Sequence, residues 1–273
     1  MPWYTRVEKT TEPPKRLTGR WISIPQMVGS ILLLIFLVVV PLMLVSGSAE
    51  AASASNVDLE QVETDFDNKD SLQRGFKYYM NYCVSCHALG YARYERTADD
   101  LEIPHDLVIA NLVFDDSLIG DLIENSMSRE YAEAAFGAAP PDLTLAGRVH
   151  TANWLYTYLK SFYNDPSRAL GTNNKIFPNV GMPNVLYDLQ GDVTCDNHET
   201  GDPAQCDLYA EGNGSMSTEE FDTAVADLVN FLYYIGEPVR DRRQQIGIWV
   251  LLFLGVLYVL AALMGREYSK DYH

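Results

Sequence analysis

Cys83-Val84-Ser85-Cys86-His87 sets two thiols two residues apart, with an imidazole directly after the second. Thiols at that spacing can each add across a vinyl group of haem while the following histidine gives a nitrogen to the iron, so the pentapeptide reads as a c-type haem attachment site. With this chain's own cysteine and histidine frequencies, a chance match is on the order of one in a thousand. A thioredoxin-like pair has no use for the histidine and needs a strand before it. Zinc needs two more ligands at metal-binding spacing, and Cys195 and Cys206, eleven residues apart, do not form a second pair of that kind.

One haem with one histidine leaves a sixth coordination position to fill. Of the eight methionines, Met1, Met27 and Met43 lie in an N-terminal targeting region, and Met264 lies in an apolar run near the C-terminus. Met80 stands one turn before Cys83 on the same helix, on the wrong side of the ring. Met127, Met182 and Met216 remain. Met182 lies in Pro178-Asn179-Val180-Gly181-Met182-Pro183, where proline fixes the backbone and glycine allows close approach to a planar group. It is the first choice, and Met216, directly before a helix cap, is the second; any single methionine is otherwise a core filler. A bis-histidine iron using His105, His150 or His198 is the alternative. The distinction matters because Met/His ligation raises the reduction potential.

Helices have to hold these groups. Leu72, Phe76, Tyr79, Met80 and Cys83 fall at helical spacing on a segment ending at the cysteine pair. Thr151 caps a second helix with Trp154, Leu155, Tyr158, Leu159 and Phe162 on one face and Pro166 as its stop. A third opens with the capping box Ser217-Thr218-Glu219-Glu220, runs through Phe221, Val225, Leu228, Val229 and Leu232, and closes at Gly236 with Pro238 beyond. Strand candidates are short, so the fold class is mainly α with long loops.

Apolar runs mark both ends. Ile22 to Val45 follows Lys9, Lys15, Arg16 and Arg20 and leads into the small-residue segment ending at Ala51, which together make a secretory signal with cleavage after Ala51. A retained N-terminal anchor is the competing reading. Ile246 to Met264 is 19 residues without a charge, between Arg242-Arg243 and Arg266, and reads as a transmembrane helix. The expected organisation is therefore 1–51 signal or anchor, 52–239 haem domain, and 240–273 membrane anchor with a short tail.

The charge narrows the function. Twenty Lys+Arg against 37 Asp+Glu give the 273-residue chain a formal charge of −17, which excludes a phosphate-clamping nucleic-acid binder. Removing residues 1–51 takes away five basic and three acidic residues, leaving 15 against 34 and a charge of −19. Asp115-Asp116 with Asp121 and Glu124, or the acid-rich stretch from Asp58 to Asp70, could steer a basic electron acceptor; an ordinary solvated face is the simpler account. In the oxidising compartment that export implies, Cys195 and Cys206 pair as a disulfide pinning their polar loop.

The segment Arg74-Gly75-Phe76 to His87 with Tyr91 and Tyr94, the run Gly137-Ala138-Ala139-Pro140-Pro141-Asp142-Leu143, the Gly181-Met182-Pro183 loop and the final apolar helix together resemble the cytochrome c1 family of proteobacterial type. The resemblance runs from about Asp58 to the C-terminus. It implies a c-type cytochrome fold carrying one covalent haem c, with thioether links at Cys83 and Cys86 and axial ligands His87 and Met182. It implies the haem subunit of a ubiquinol:cytochrome c oxidoreductase of the respiratory chain, with cytochrome b and a Rieske iron-sulfur protein as partners and a c-type cytochrome as acceptor. The site would then lie in the periplasm and the C-terminal helix in the bacterial inner membrane. A membrane-tethered c-type cytochrome of another chain, or a haem peroxidase or gas sensor with an open iron position, are the rival functions.

The same resemblance places the Pro140-Pro141 segment beside His87, where a backbone carbonyl accepts the imidazole N–H. Arg148 matches the first arginine of the family's Arg-x-Arg element near the haem propionates, but the second position is His150. That substitution predicts a reduction potential that depends on pH between about 6 and 8.

Overall fold

The computed structural model describes residues 57–196, 206–268 and 270. The signal or anchor expected over 1–51 and His198 lie outside the described residues. Among these residues the chain is mainly helical: α1 (Lys69–Tyr82), α2 (Tyr94–Asp100), α3 (His105–Leu112), α4 (Arg129–Phe136), α5 (Ala146–Val149), α6 (Ala152–Lys160), α7 (Tyr187–Gln190), α8 (Thr218–Gly236) and α9 (Arg240–Tyr268). Six short strands make three antiparallel ribbons: β1 (Leu89–Arg93) with β2 (Leu122–Ile123), β3 (Phe162–Asn164) with β4 (Thr172–Asn174), and β5 (Val193–Cys195) with β6 (Leu208–Ala210).

The core is built where α1 crosses α8. Asn68 caps α1 by accepting from the Ser71 amide at 3.1 Å, and the helical spacing of Leu72, Phe76, Tyr79 and Met80 turns all four into the interior. Met80 is thus a core residue. On α8 the capping box forms as written, the Ser217 hydroxyl accepting from the Glu220 amide and the Glu220 carboxylate accepting from the Ser217 amide at 2.9 Å. Phe221, Val225, Leu228, Val229, Phe231 and Leu232 then face inward. The helices meet at Gly75, where a Cβ atom would lie 2.1 Å from the Asp227 carbonyl oxygen and 2.6 Å from Phe231 Cβ, so only glycine allows this approach. Polar groups fix the register of the crossing. Arg74 makes two bonds to Asp227, at 2.6 and 3.1 Å. Buried Asn230 accepts from the Asp65 amide at 3.0 Å and donates to the Asp65 carbonyl at 2.8 Å and to Ser71 Oγ at 3.1 Å.

Thr151 caps α6 as its sequence predicts, accepting from the Trp154 amide at 3.2 Å. The helix stops at Lys160, however, and neither Phe162 nor Pro166 belongs to its end; Phe162 instead opens β3 and pairs with Asn174. The cause is a set of side chains from elsewhere that take the terminal carbonyls. Asn174 Nδ2 donates to the Tyr158 carbonyl at 2.8 Å and Gln190 Nε2 to the Lys160 carbonyl at 2.9 Å. Cys195 on β5 is joined to Cys206 just before β6, and with Tyr163 and Val193 the pair forms a small satellite cluster.

α8 and α9 are separated by Glu237, Pro238 and Val239. Glu237 binds Arg148 with one carboxylate oxygen and Arg243 with the other, the latter at 2.6 Å, while the Arg240 guanidinium lies 5.9 Å from the ring centres of both Phe66 and Tyr233. From Arg242 to Tyr268 the helix is long and apolar enough to cross a membrane, and among the described residues its apolar window is not buried.

Candidate functional site

α1 ends at Tyr82, and the chain turns through the thiol pair, the amides of Cys86 and His87 both donating to the Cys83 carbonyl, at 3.1 and 2.9 Å. Neither cysteine belongs to the disulfide; Cys83 is buried and Cys86 half-buried. Burial pushes the Cys83 thiol up to about 12, so it is held protonated.

His87 is fixed on several sides. Its Nδ1 lies 2.7 Å from the Pro141 carbonyl oxygen. A carbonyl can only accept, so Nδ1 carries the proton and the lone pair is on Nε2. Burial lowers the His87 pKa below its ordinary value; the Pro141 hydrogen bond and the Asp142 charge oppose this and only partly offset it, so the ring is neutral near pH 7. The backbone around it is clamped too. Tyr79 Oη donates to the His87 carbonyl at 2.6 Å, Asn125 Nδ2 donates to the Cys86 carbonyl, and the Leu143 amide donates to the Ala88 carbonyl at 2.9 Å. Asp142 accepts from the Gly90 amide at 2.7 Å and from the Thr144 amide at 2.8 Å. Tyr79 and Asn125 carry no signal of this role in the sequence; Tyr79 reads there only as a core residue.

The Met182 loop lies against the end of α4. A Cβ at Gly181 would lie 3.2 Å from the Phe136 carbonyl oxygen, at the end of α4, and the chain turns there through left-handed Gly137 (φ 80°) toward Pro141. Met182 is half-buried, and Tyr158 Oη donates to its Sδ at 3.4 Å. Met216 packs against the main core, its amide bonded to the Leu189 carbonyl at 3.1 Å.

The remaining histidines and Arg148 are placed differently. His105 Nε2 lies 2.8 Å from Asp99 Oδ1, between α2 and α3. His150 stacks on Trp154, ring centres 4.0 Å apart and planes 15° from parallel, and its partial burial lowers its pKa below 6.5. That moves the expected pH window from 6–8 to the acidic side of 6.5. Arg148 is engaged by Glu237, in the link between α8 and α9.

Two neighbouring cysteines and an imidazole with its lone pair on Nε2 are chemistry that suits covalent haem attachment. The comparisons with known proteins agree with that chemistry. A cytochrome c1 of Allochromatium vinosum is 46% identical over 241 residues, covering 87% of this chain and 99% of its own length. An ammonia monooxygenase gamma subunit of Nitrosomonas europaea is 40% identical over 222 residues, 81% of this chain and 92% of its own. The mitochondrial cytochrome c1 haem protein of Neurospora crassa is 28% identical over 234 residues, 76% of this chain and 64% of its own. The Cytochrome C1 family model matches residues 58–272, from the segment before α1 through the apolar helix, and the chain belongs to the cytochrome c1 family.

Proposed function

We propose that this chain is the haem c electron carrier of a ubiquinol:cytochrome c oxidoreductase, taking one electron at a time from a Rieske iron-sulfur protein and passing it to a c-type cytochrome. The observation that carries the reading is His87, directly after Cys86, whose proton is held on Nδ1 by the Pro141 carbonyl, leaving the lone pair of Nε2 as a nitrogen donor. Cys83 and Cys86 would hold one haem c through thioether bonds, with His87 and Met182 as axial ligands. Bound there, the haem supplies a metal that cycles between ferrous and ferric states without bonding a substrate. The chain's own work is to keep the imidazole neutral and correctly oriented, to present the Met182 sulfur, and to exclude water from both. The C-terminal helix anchors the haem domain to the bacterial inner membrane beside cytochrome b, with the domain on the periplasmic side.

Adding quinol to the membrane-extracted complex and following the haem c spectrum tests this. Reduction that a quinol-site inhibitor blocks is the expected result; reduction indifferent to the inhibitor overturns it. The name of the Nitrosomonas relative favours a second reading, a haem subunit serving a monooxygenase. Under that reading the purified assembly contains monooxygenase subunits and its haem c is not reduced by quinol.

A further inference from the structure

Tyr158 stands on α6 with its hydroxyl 3.4 Å from Met182 Sδ, and among the described residues that sulfur is the hydroxyl's one hydrogen-bond partner. The ring is immobilised. Trp154 stacks on it with planes 7° apart and centres 5.0 Å apart, and His150 covers the other face of Trp154. Phe162 and Phe177 meet the Tyr158 ring edge-on, at 5.2 and 6.5 Å. Its backbone carbonyl is tied to buried Asn174.

A thioether sulfur accepts only, and it has two lone pairs. We propose that Tyr158 is the positioning residue of the Met182 thioether: its hydroxyl takes one lone pair, so that only the other is free for iron and the bound sulfur has a single configuration. The inference rests on Met182 being the axial ligand. A second consequence follows from charge. An O–H bond draws electron density from the sulfur, making it a poorer donor to ferric iron and favouring the ferrous state. Only the difference in this bond's strength between ferric and ferrous states moves their ratio, so the shift has a ceiling of about fivefold, the factor for a whole hydrogen bond of ordinary strength.

Tyr158→Phe keeps the ring, its stacking and its edge contacts while deleting the donor. The test uses the full chain in its membrane-extracted complex and reads the far-red absorption band of ferric haem c that reports sulfur ligation. The circular dichroism of that band reports the sulfur's configuration. Wild type is expected to show the band with one sign, Met182→Ala to lose it, and Met216→Ala to keep it. Tyr158→Phe is expected to keep the band but with weakened or mixed dichroism, and with the ferrous-to-ferric ratio at a fixed ambient potential lowered by at most about fivefold. Tyr156→Phe, two positions before Tyr158 and bonded to Lys160 instead, leaves both unchanged. A band that survives in Met182→Ala overturns the ligand assignment. A band lost in Met182→Ala, but with wild-type dichroism and ratio in Tyr158→Phe, leaves the ligand assignment standing and overturns the role of Tyr158. Equal shifts in Tyr156→Phe and Tyr158→Phe also overturn it.

Discussion

At His87 the position of one proton separates a ligand from a spectator, and a backbone carbonyl, which no side-chain substitution can remove, sets it. Asp142 holds that carbonyl's segment in place through two backbone amides, one exposed and one partly buried, so Asp142→Ala is expected to destabilise the domain by about 1–2 kcal/mol in chemical denaturation. His150 gives a pH prediction. Its pKa in the fold is below the value it has in the unfolded chain, so the unfolded state takes up the proton first as pH falls and stability drops below about pH 6.5. The imidazolium formed there also disfavours ferric iron. Redox titration should find the midpoint potential flat from about pH 7 to 8 and rising below 6.5. His150→Phe, which retains a ring to stack on Trp154, should remove that rise. The thiol pair and His87 were legible in the sequence because spacing alone encodes them. Asn125 was not, since its amide reaches the Cys86 carbonyl across 39 positions and nothing local marks it.

At the scale of elements, the crossing of α1 and α8 depends on a missing side chain. Gly75→Ala would drive Cβ into the Asp227 carbonyl, a backbone atom that cannot rotate away, and should cost about 3 kcal/mol by denaturant titration, with less haem-loaded protein recovered. Asn174→Ala removes the donor to the Tyr158 carbonyl and the acceptor for the Ile176 and Phe177 amides, all in a buried site, and should cost about 2 kcal/mol. Helix starts were readable because caps are local: Ser217 with Glu220 and Thr151 each act within three residues. The end of α6 was not readable. Phe162 continues the apolar face at helical spacing, yet Asn174 and Gln190, supplied from 16 and 30 positions away, take the last carbonyls and release the chain into a strand.

For the molecule as a whole, charge and anchorage divide the work. Several acids in the described residues are already occupied: Glu60 with Lys160, Asp99 with His105, Asp227 with Arg74, Glu237 with two arginines. The excess over 20 basic groups still leaves a negative surface. Transfer to a basic c-type cytochrome is therefore expected to slow as ionic strength rises, measured by stopped-flow reduction; a rate independent of salt assigns the acidity to solvation alone. Among the described residues the apolar window of α9 is not buried, so a chain ending after Arg243 should lose this anchor, read by its release from the membrane fraction, while keeping its haem spectrum. The link between core and membrane helix has a mechanical consequence. Three residues span about 10 Å when fully extended, and Glu237 within them is held by arginines on either side. A mount that short leaves the haem domain little slack, so the core and the apolar helix are held close to each other at this point of the chain.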